Sequence, residues 1–231
     1  MTVSNGRWWL ALGAVAALAT TVAAQQSANV NATVVETGVT HVVGNPAAKV
    51  TLAEYVSYTC PHCAHFANEG DGALKLVYVP SGKVKLEIHP FLRNPLDIAA
   101  SLLVRCGDPA SFSRNHASFM LQQSKWLPLA QNATAAQQQR WVSGLLPERM
   151  RAIAGDLGFY QMMEANGYQR PELDRCLADE AAIKEMIDGT KAAYEKGVQG
   201  TPSFAINGQL LDGVHDWTSL RPHLDAAVTG S

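Results

Sequence analysis

The stretch that most constrains this chain is Cys60-Pro61-His62-Cys63. It follows an apolar, β-branched run (Val50-Thr51-Leu52-Ala53-Glu54-Tyr55-Val56) and precedes a helix-like run (Ala64-His65-Phe66-Ala67-Asn68-Glu69). A C-x-x-C pair between a strand and a helix points to a redox dithiol. Pro61 falls in the first helical turn, where its missing N–H has no intrahelical partner to lose. Cys60 then sits at the helix N-terminus, whose unpaired N–H groups and dipole favour a thiolate, the reactive species in disulfide exchange. A protonated His62 adds a donor and a positive charge beside it. Cys63, one turn further in, is expected to be more buried and to need a base. A structural bridge is one alternative reading of the pair. A zinc site from Cys60, His62, Cys63 and His65 is another. A helix beginning at Pro61 sends His62 and Cys63 to different faces, whereas structural zinc sites draw on separated elements, so no metal is expected.

The N-terminus sets the compartment. Met1 to Gly6 carry no acid, Arg7 is positive, Trp8 to Val22 are almost wholly apolar, and Val22-Ala23-Ala24 offers small residues for cleavage. Residues 1–24 therefore read as a secretory signal peptide. An uncleaved anchor is the alternative, but the run is shorter than the ~20 residues a membrane span needs. Four cysteines in an exported chain suit an oxidising compartment, here the periplasm. A formal net charge of −2 with scattered basic residues argues against a nucleic-acid partner.

Residues 25–37 are polar and small, and read as a mobile arm. Val39–Val43, Lys49–Ser57 and Lys83–Leu92 read as strands, the last with Val84, Leu86 and Ile88 alternating with polar residues. The helix from Pro61 is expected to reach about Val79 with a kink at Gly70-Asp71-Gly72, since each glycine costs about 1 kcal/mol there. After Asn94-Pro95 the periodicity becomes helical: Ile98–Val104, Phe112–Trp126, Ala135–Leu146, Pro147–Leu157, and Pro171–Ile187 running on to Lys196 before Gly197. Ser203–Ile206, Asn207-Gly208 and Gln209–Leu211 form a hairpin signal, and Asp216 can cap a last helix. The fold class is thus α/β, a sheet domain in two parts (residues 38–94 and 181–231) around an all-helical insertion (residues 95–180). His41, His116, His215 and His223 read as surface or capping residues. Trp126, Trp141 and Met162-Met163 read as core or groove lining.

This order, with Cys60-Pro61-His62-Cys63 on the first helix and Gly200-Thr201-Pro202 before the hairpin, resembles the thioredoxin fold. It is most similar to the DsbA-like branch, the thioredoxin-4-type proteins in which helices interrupt the fold. Glu54, His89-Pro90-Phe91-Leu92, Gly197 to Phe204 and Ile206-Asn207-Gly208 complete the matching residues, and the likeness covers about Gly38 to Val228. The resemblance implies a thiol:disulfide oxidoreductase with Cys60 as nucleophile and Cys63 as resolving thiol. It implies that Glu54 beneath the site takes or relays a proton, and that Pro202 is a cis-proline exposing the Thr201 backbone for an extended substrate. A strand-end carboxylate facing solvent and a trans proline are the plain alternatives for Glu54 and Pro202.

With Cys60 and Cys63 paired, Cys106 and Cys176 are the only other pair among the three pairings that four cysteines allow. They are expected to form a structural disulfide, with a second redox pair or free buried thiols as alternatives. Beyond the Cys60–Cys63 disulfide no cofactor is expected. The expected partners are exported proteins with free thiols and a membrane-bound reoxidising protein, the chain itself being a monomer. Thr201 is shared with disulfide isomerases, where the best-known oxidases have valine, and this leaves the direction of reaction open.

Overall fold

The computed structural model describes residues 1–2 and 34–230. The expected signal peptide (residues 1–24) and most of the expected arm fall outside the described residues. The part of that arm inside them is a strand: β1 (Val34–Thr37) turns at Gly38 (φ +58°) and pairs antiparallel with β2 (Thr40–Gly44), Glu36 opposite His41. Two features stabilise this short edge strand, the turn glycine and Arg105, which donates to Glu36 Oε1 from Nη2 at 2.5 Å.

β3 (Val50–Val56) is buried at every position except Thr51, as a strand covered on both faces must be. The chain then forms α1 (Pro61–Glu69), a short α2 (Asp71–Ala73) and a π-helical turn at Leu74–Tyr78. The kink at Gly70 has a steric cause. A Cβ there would lie 2.9 Å from the Phe66 ring and 3.1 Å from Trp217, so glycine lets the helix pass beneath the C-terminal helix. β4 (Val84–Pro90) runs parallel to β3 with Val84, Leu86 and Ile88 turned into the core.

The insertion follows as α3 (Pro95–Val104), a 3₁₀ turn, α4 (Phe112–Leu121), α5 (Gln123–Gln131), α6 (Ala135–Val142), α7 (Leu146–Asp156), α8 (Phe159–Ala165) and α9 (Arg170–Cys176). Two runs that read as single helices are broken. Phe112–Trp126 divides at Gln122, where Gln123 turns inward to bond two carbonyls near Cys60. Pro171–Lys196 divides before Asp179, which caps α10 (Glu180–Glu195) by accepting from Ala182 N. α8, absent from the sequence reading, packs Phe159 against Phe119 and Trp126. β5 (Ser203–Ile206) and β6 (Gln209–Leu210) form the hairpin, with Asn207 and Gly208 both at positive φ, and Asp216 caps α11 (Trp217–Thr229).

The sheet order is β1-β2-β4-β3-β5-β6, with only the β3–β4 pair parallel. One apolar cluster runs from Leu52, Phe66 and Phe204 in the sheet domain to Phe119, Met150 and Phe159 in the insertion. The two parts therefore share a core. Among the described residues no helix is long and apolar enough to cross a membrane.

His41 and His116 depart from their surface reading. His41 is 2% exposed and stacked on Phe112, with 3.8 Å between ring centroids, because its β2 position faces inward. His116 is on the inward stripe of α4 and shares a 3.0 Å hydrogen bond with the Tyr58 hydroxyl. Burial pushes their pKa values down to about 3 and about 4, so both rings stay neutral.

Cys106, just past the end of α3, is bonded to Cys176 at the end of α9, with Cα atoms 5.7 Å apart. The bridge closes a 70-residue separation. Loop-closure entropy predicts that replacing both cysteines with alanine lowers the unfolding free energy by about 4 kcal/mol, measurable in denaturant melts without reductant.

Candidate active site

Cys60 is the N-cap of α1, with φ −89° and ψ 117°, and Pro61 occupies the first turn as expected. Both cysteines are free thiols. Cys63 is wholly buried, and Cys60 is 3% exposed. The Cys60 thiol donates to the Thr201 carbonyl at 3.1 Å, and the Thr201–Pro202 bond is cis. The structure thus brings Cys60, Cys63, Thr201 and Pro202 together across 141 residues of sequence. His215 from the loop before α11 adds a hydrogen bond from Nδ1 to the Pro202 carbonyl at 2.8 Å, which fixes that nitrogen as the protonated one.

The two thiols are driven apart electrostatically. The Cys60 pKa is lowered to about 5, first by a hydrogen bond from the Cys63 thiol. Burial opposes this, and the Thr201 hydroxyl and the backbone N–H groups of Cys63 and His62 reinforce it. The Thr201 hydroxyl has no partner in the dithiol structure, so it is open to donate to a thiolate. Cys63 is pushed well above an ordinary thiol, first by burial and then by its bond to Cys60. His62 and His65 are exposed on α1 while Cys63 faces the core. Among the described residues no group of three or more His, Cys, Asp or Glu side chains is placed to hold a metal.

Glu54 lies in the middle of β3, opposite Ile88 and Phe204, and is 2% exposed. Its Oε2 has no hydrogen-bond partner. Burial raises its pKa from the usual 4.5 to about 8; Asp71 adds to the rise and Lys75 opposes it. Its charge in turn helps to raise the Cys63 thiol, so the two groups sense each other.

Sequence reasoning missed Asp97 and Gln123, both from the insertion. Asp97 is 1% exposed and accepts from Ser57 Oγ, Thr59 N, Thr59 Oγ1 and Arg93 N at 2.9–3.1 Å. Gln123 donates from Nε2 to the carbonyls of Tyr58 at 2.7 Å and Cys60 at 2.9 Å. The only local signal was Asn94-Pro95 followed by an acid, which marks a helix start. The contacts to residues 57–60 span 38 to 65 residues.

A dithiol at a helix N-terminus, faced by a cis-proline loop beside a mixed sheet, is the site architecture of thioredoxin-fold thiol–disulfide oxidoreductases. The family model described as Thioredoxin matches residues 36–226, and the chain belongs to that family. Among solved structures, the protein-disulfide isomerase of Novosphingobium aromaticivorans is 46% identical to this chain. It superposes with a TM-score of 0.80, covering 84% of this chain and 99% of that one. Alpha-DsbA1 of Wolbachia pipientis shares the fold at 18% identity, with a TM-score of 0.65 over 82% of this chain and 90% of its own. A Rickettsia bellii protein that carries the name protein-disulfide oxidoreductase is 28% identical over 192 residues, 82% of this chain and 65% of the relative. The chain spans between 53% and 65% of the length of such Rickettsia relatives.

Proposed function

We propose that this protein is a thiol–disulfide oxidoreductase that works as a dithiol oxidase in the periplasm, passing its Cys60–Cys63 disulfide to exported proteins. The observation that carries this reading is the asymmetry of the pair, Cys60 at the N-cap of α1 against the cis-Pro202 loop and Cys63 wholly buried. It lowers the Cys60 thiol to about 5 and pushes Cys63 well above an ordinary cysteine. A stabilised Cys60 thiolate favours the dithiol, which makes the disulfide a strong oxidant. It is also the better leaving group. A client thiolate attacks Cys60 Sγ, the Cys60–Cys63 bond breaks, and the Cys63 sulfur takes up a proton with Glu54 as the nearby acid. A second client thiolate then attacks the client sulfur of the mixed disulfide, and Cys60 leaves as thiolate. The client gains a disulfide and the enzyme is left reduced, so a membrane-bound protein is required to reoxidise it. The Thr201 backbone beside Cys60 suits an extended client segment paired in β fashion. The N-terminal segment read as a signal peptide supports export, and a monomer suffices for the chemistry.

The second reading is an isomerase of the same fold. It is favoured by Thr201 before the cis-proline and by the name of the Novosphingobium relative. The two separate on the reduction potential of the Cys60/Cys63 couple, measured against glutathione. An oxidase is expected to lie nearer about −120 mV, and a value near about −270 mV, as in thioredoxin, would sink disulfide donation.

A further inference from the structure

We propose that the helical insertion sets the reactivity of Cys60, with Asp97 and Gln123 as positioning residues for the loop that carries it. The inference deepens the functional reading above and rests on Cys60 being the nucleophile.

Residues 57–60 join β3 to α1, and their hydrogen bonds run overwhelmingly to the insertion. Both Asp97 carboxylate oxygens accept from Ser57 Oγ, and the carboxylate also takes the Thr59 amide and hydroxyl. Asn94, the N-cap of α3, donates from Nδ2 to the same Thr59 hydroxyl at 2.9 Å. Gln123 binds the carbonyls on either side of Thr59, one of them belonging to Cys60 itself. Within the sheet domain the loop makes the 3.2 Å turn bond from Cys60 N to the Ser57 carbonyl, the 3.3 Å bond from Ala64 N to the Cys60 carbonyl, the 3.2 Å contact between the Ser57 and Thr59 hydroxyls and the thiol contact to Thr201.

This pattern has a chemical consequence. The thiolate at Cys60 is stabilised by donors that sit at fixed points: the Cys63 thiol, the Thr201 hydroxyl, and the N–H groups at the start of α1. Hydrogen bonds weaken steeply with distance and angle. The backbone of Cys60 therefore has to present Sγ to all of them at once, and Gln123 and Asp97 hold that backbone from behind. Ser57 has a second link to the site, because its backbone N–H bonds the Cys63 sulfur and opposes the rise of that thiol. Gln123 is 4% exposed and Asp97 1%, and their hydrogen bonds go to the loop and not to either sulfur. They act through the loop. The same bonds explain why α4 and α5 break at Gln122, since a continuous helix would carry Gln123 away from the two carbonyls.

The test uses the full chain with Gln123→Leu, Gln123→Glu and Thr59→Val. Gln123→Leu keeps apolar bulk and removes both donors. Gln123→Glu keeps the shape and replaces the donor with a carboxylate oxygen. Thr59→Val keeps the shape and removes the hydroxyl held by Asp97 and Asn94. The readouts are the thiolate absorbance of Cys60 against pH and the equilibrium constant with glutathione, with melting temperature recorded alongside. Each variant is expected to raise the Cys60 titration midpoint. For the Gln123 variants the rise should be about one pKa unit, with the glutathione constant changing about tenfold toward a weaker oxidant. If the midpoint and the glutathione constant stay at wild-type values, with only the melting temperature lowered, the proposal is overturned. Thr59→Val is the mildest change and keeps the test decisive should a Gln123 variant not fold. A wild-type Cys60 that titrates like an ordinary cysteine would instead defeat the functional reading, so the two failures are told apart.

Discussion

A Cys60→Ala protein is expected to show no disulfide exchange above background, and a Cys63→Ala protein, offered a client disulfide, to stall as a mixed disulfide through Cys60. Both follow from the asymmetry of the pair. Cys60 lies beside the Thr201 carbonyl where an extended client can approach, whereas Cys63 is wholly buried beneath it. Cys60, 3% exposed, is therefore the sulfur a client meets first, and removing it leaves only a thiol that is wholly buried and held protonated. Removing Cys63 leaves the Cys60 sulfur in place to attack a client disulfide, with one client sulfur leaving as thiolate, but takes away the thiol that would attack that mixed disulfide in turn. The same variant carries a second, independent expectation. The largest stabilisation of the Cys60 thiolate is the hydrogen bond from the Cys63 thiol. In Cys63→Ala the Cys60 titration should move up from about 5 toward the ordinary value of about 8.5. Thiolate absorbance against pH measures that shift, and non-reducing electrophoresis with a disulfide-bonded client measures the trapped adduct. A Cys63→Ala protein whose Cys60 still titrates near 5 would mean that the helix terminus and Thr201 suffice, and that the dithiol contact is incidental.

The parts of this site that were legible in the sequence are those whose signal is local. Cys60-Pro61-His62-Cys63 between an apolar strand and a helix, a lone Glu54 in that strand, Gly200-Thr201-Pro202 and Asn207-Gly208 each announce themselves within a few residues. Asp97 and Gln123 do not. They are polar residues on helices whose apolar periodicity is intact around them, and their importance arises only when the insertion folds back over residues 57–60. The helix breaks at Gln122 and before Asp179 were hidden for the same reason, because a tertiary hydrogen bond or a cap outweighed a periodicity that continues across both. His41 and His116 looked like surface residues because histidine is polar by type, and only the inward register of β2 and α4 shows otherwise. β1 alternates in burial but not in residue type, and it is held by an ion pair to Arg105, 69 residues away. What sequence carries poorly, in this chain, is the second layer of contacts behind a site whose first layer it states openly.

Glu54→Gln is expected to change both the pH dependence of stability and the rate of the step that moves a proton at Cys63. The wild-type carboxyl titrates near 8 in the folded protein and near 4.5 when exposed, because burial penalises the charged form. Between those values the folded state holds a proton that the unfolded chain has released. The Glu54 contribution to the stability of the dithiol form therefore falls as pH rises from about 4.5 to about 8, and is flat on either side of that window. The lowered Cys60 contributes with the opposite sign in both proteins, so the slope that isolates Glu54 is the difference between wild type and variant. The full span corresponds to about 3 to 5 kcal/mol. Glutamine is neutral throughout, so the variant should lose this slope. At pH 4 the two proteins should be close in stability, and at pH 8.5 the variant should be the more stable by most of that span. Denaturant melts of the reduced proteins at several pH values measure it directly. The gain in stability should come with a loss in chemistry. Cys63 must take up a proton each time a client thiolate opens the Cys60–Cys63 bond, it is buried, and Glu54 is the titratable group whose charge it feels after the Cys60 thiol. Removing that group should slow opening of the Cys60–Cys63 bond by a client thiolate about a hundredfold, within the usual range for losing a general acid or base. A rapid-quench measurement of the step can be set against the melts on the same samples. If the Glu54 stability difference followed its expected slope while opening of the Cys60–Cys63 bond kept its wild-type rate in the variant, Glu54 would be a buried acid that the fold tolerates and the proton would reach Cys63 by another route. If both change together, the cost in stability of a lone carboxyl in the middle of β3 is explained by the proton it handles.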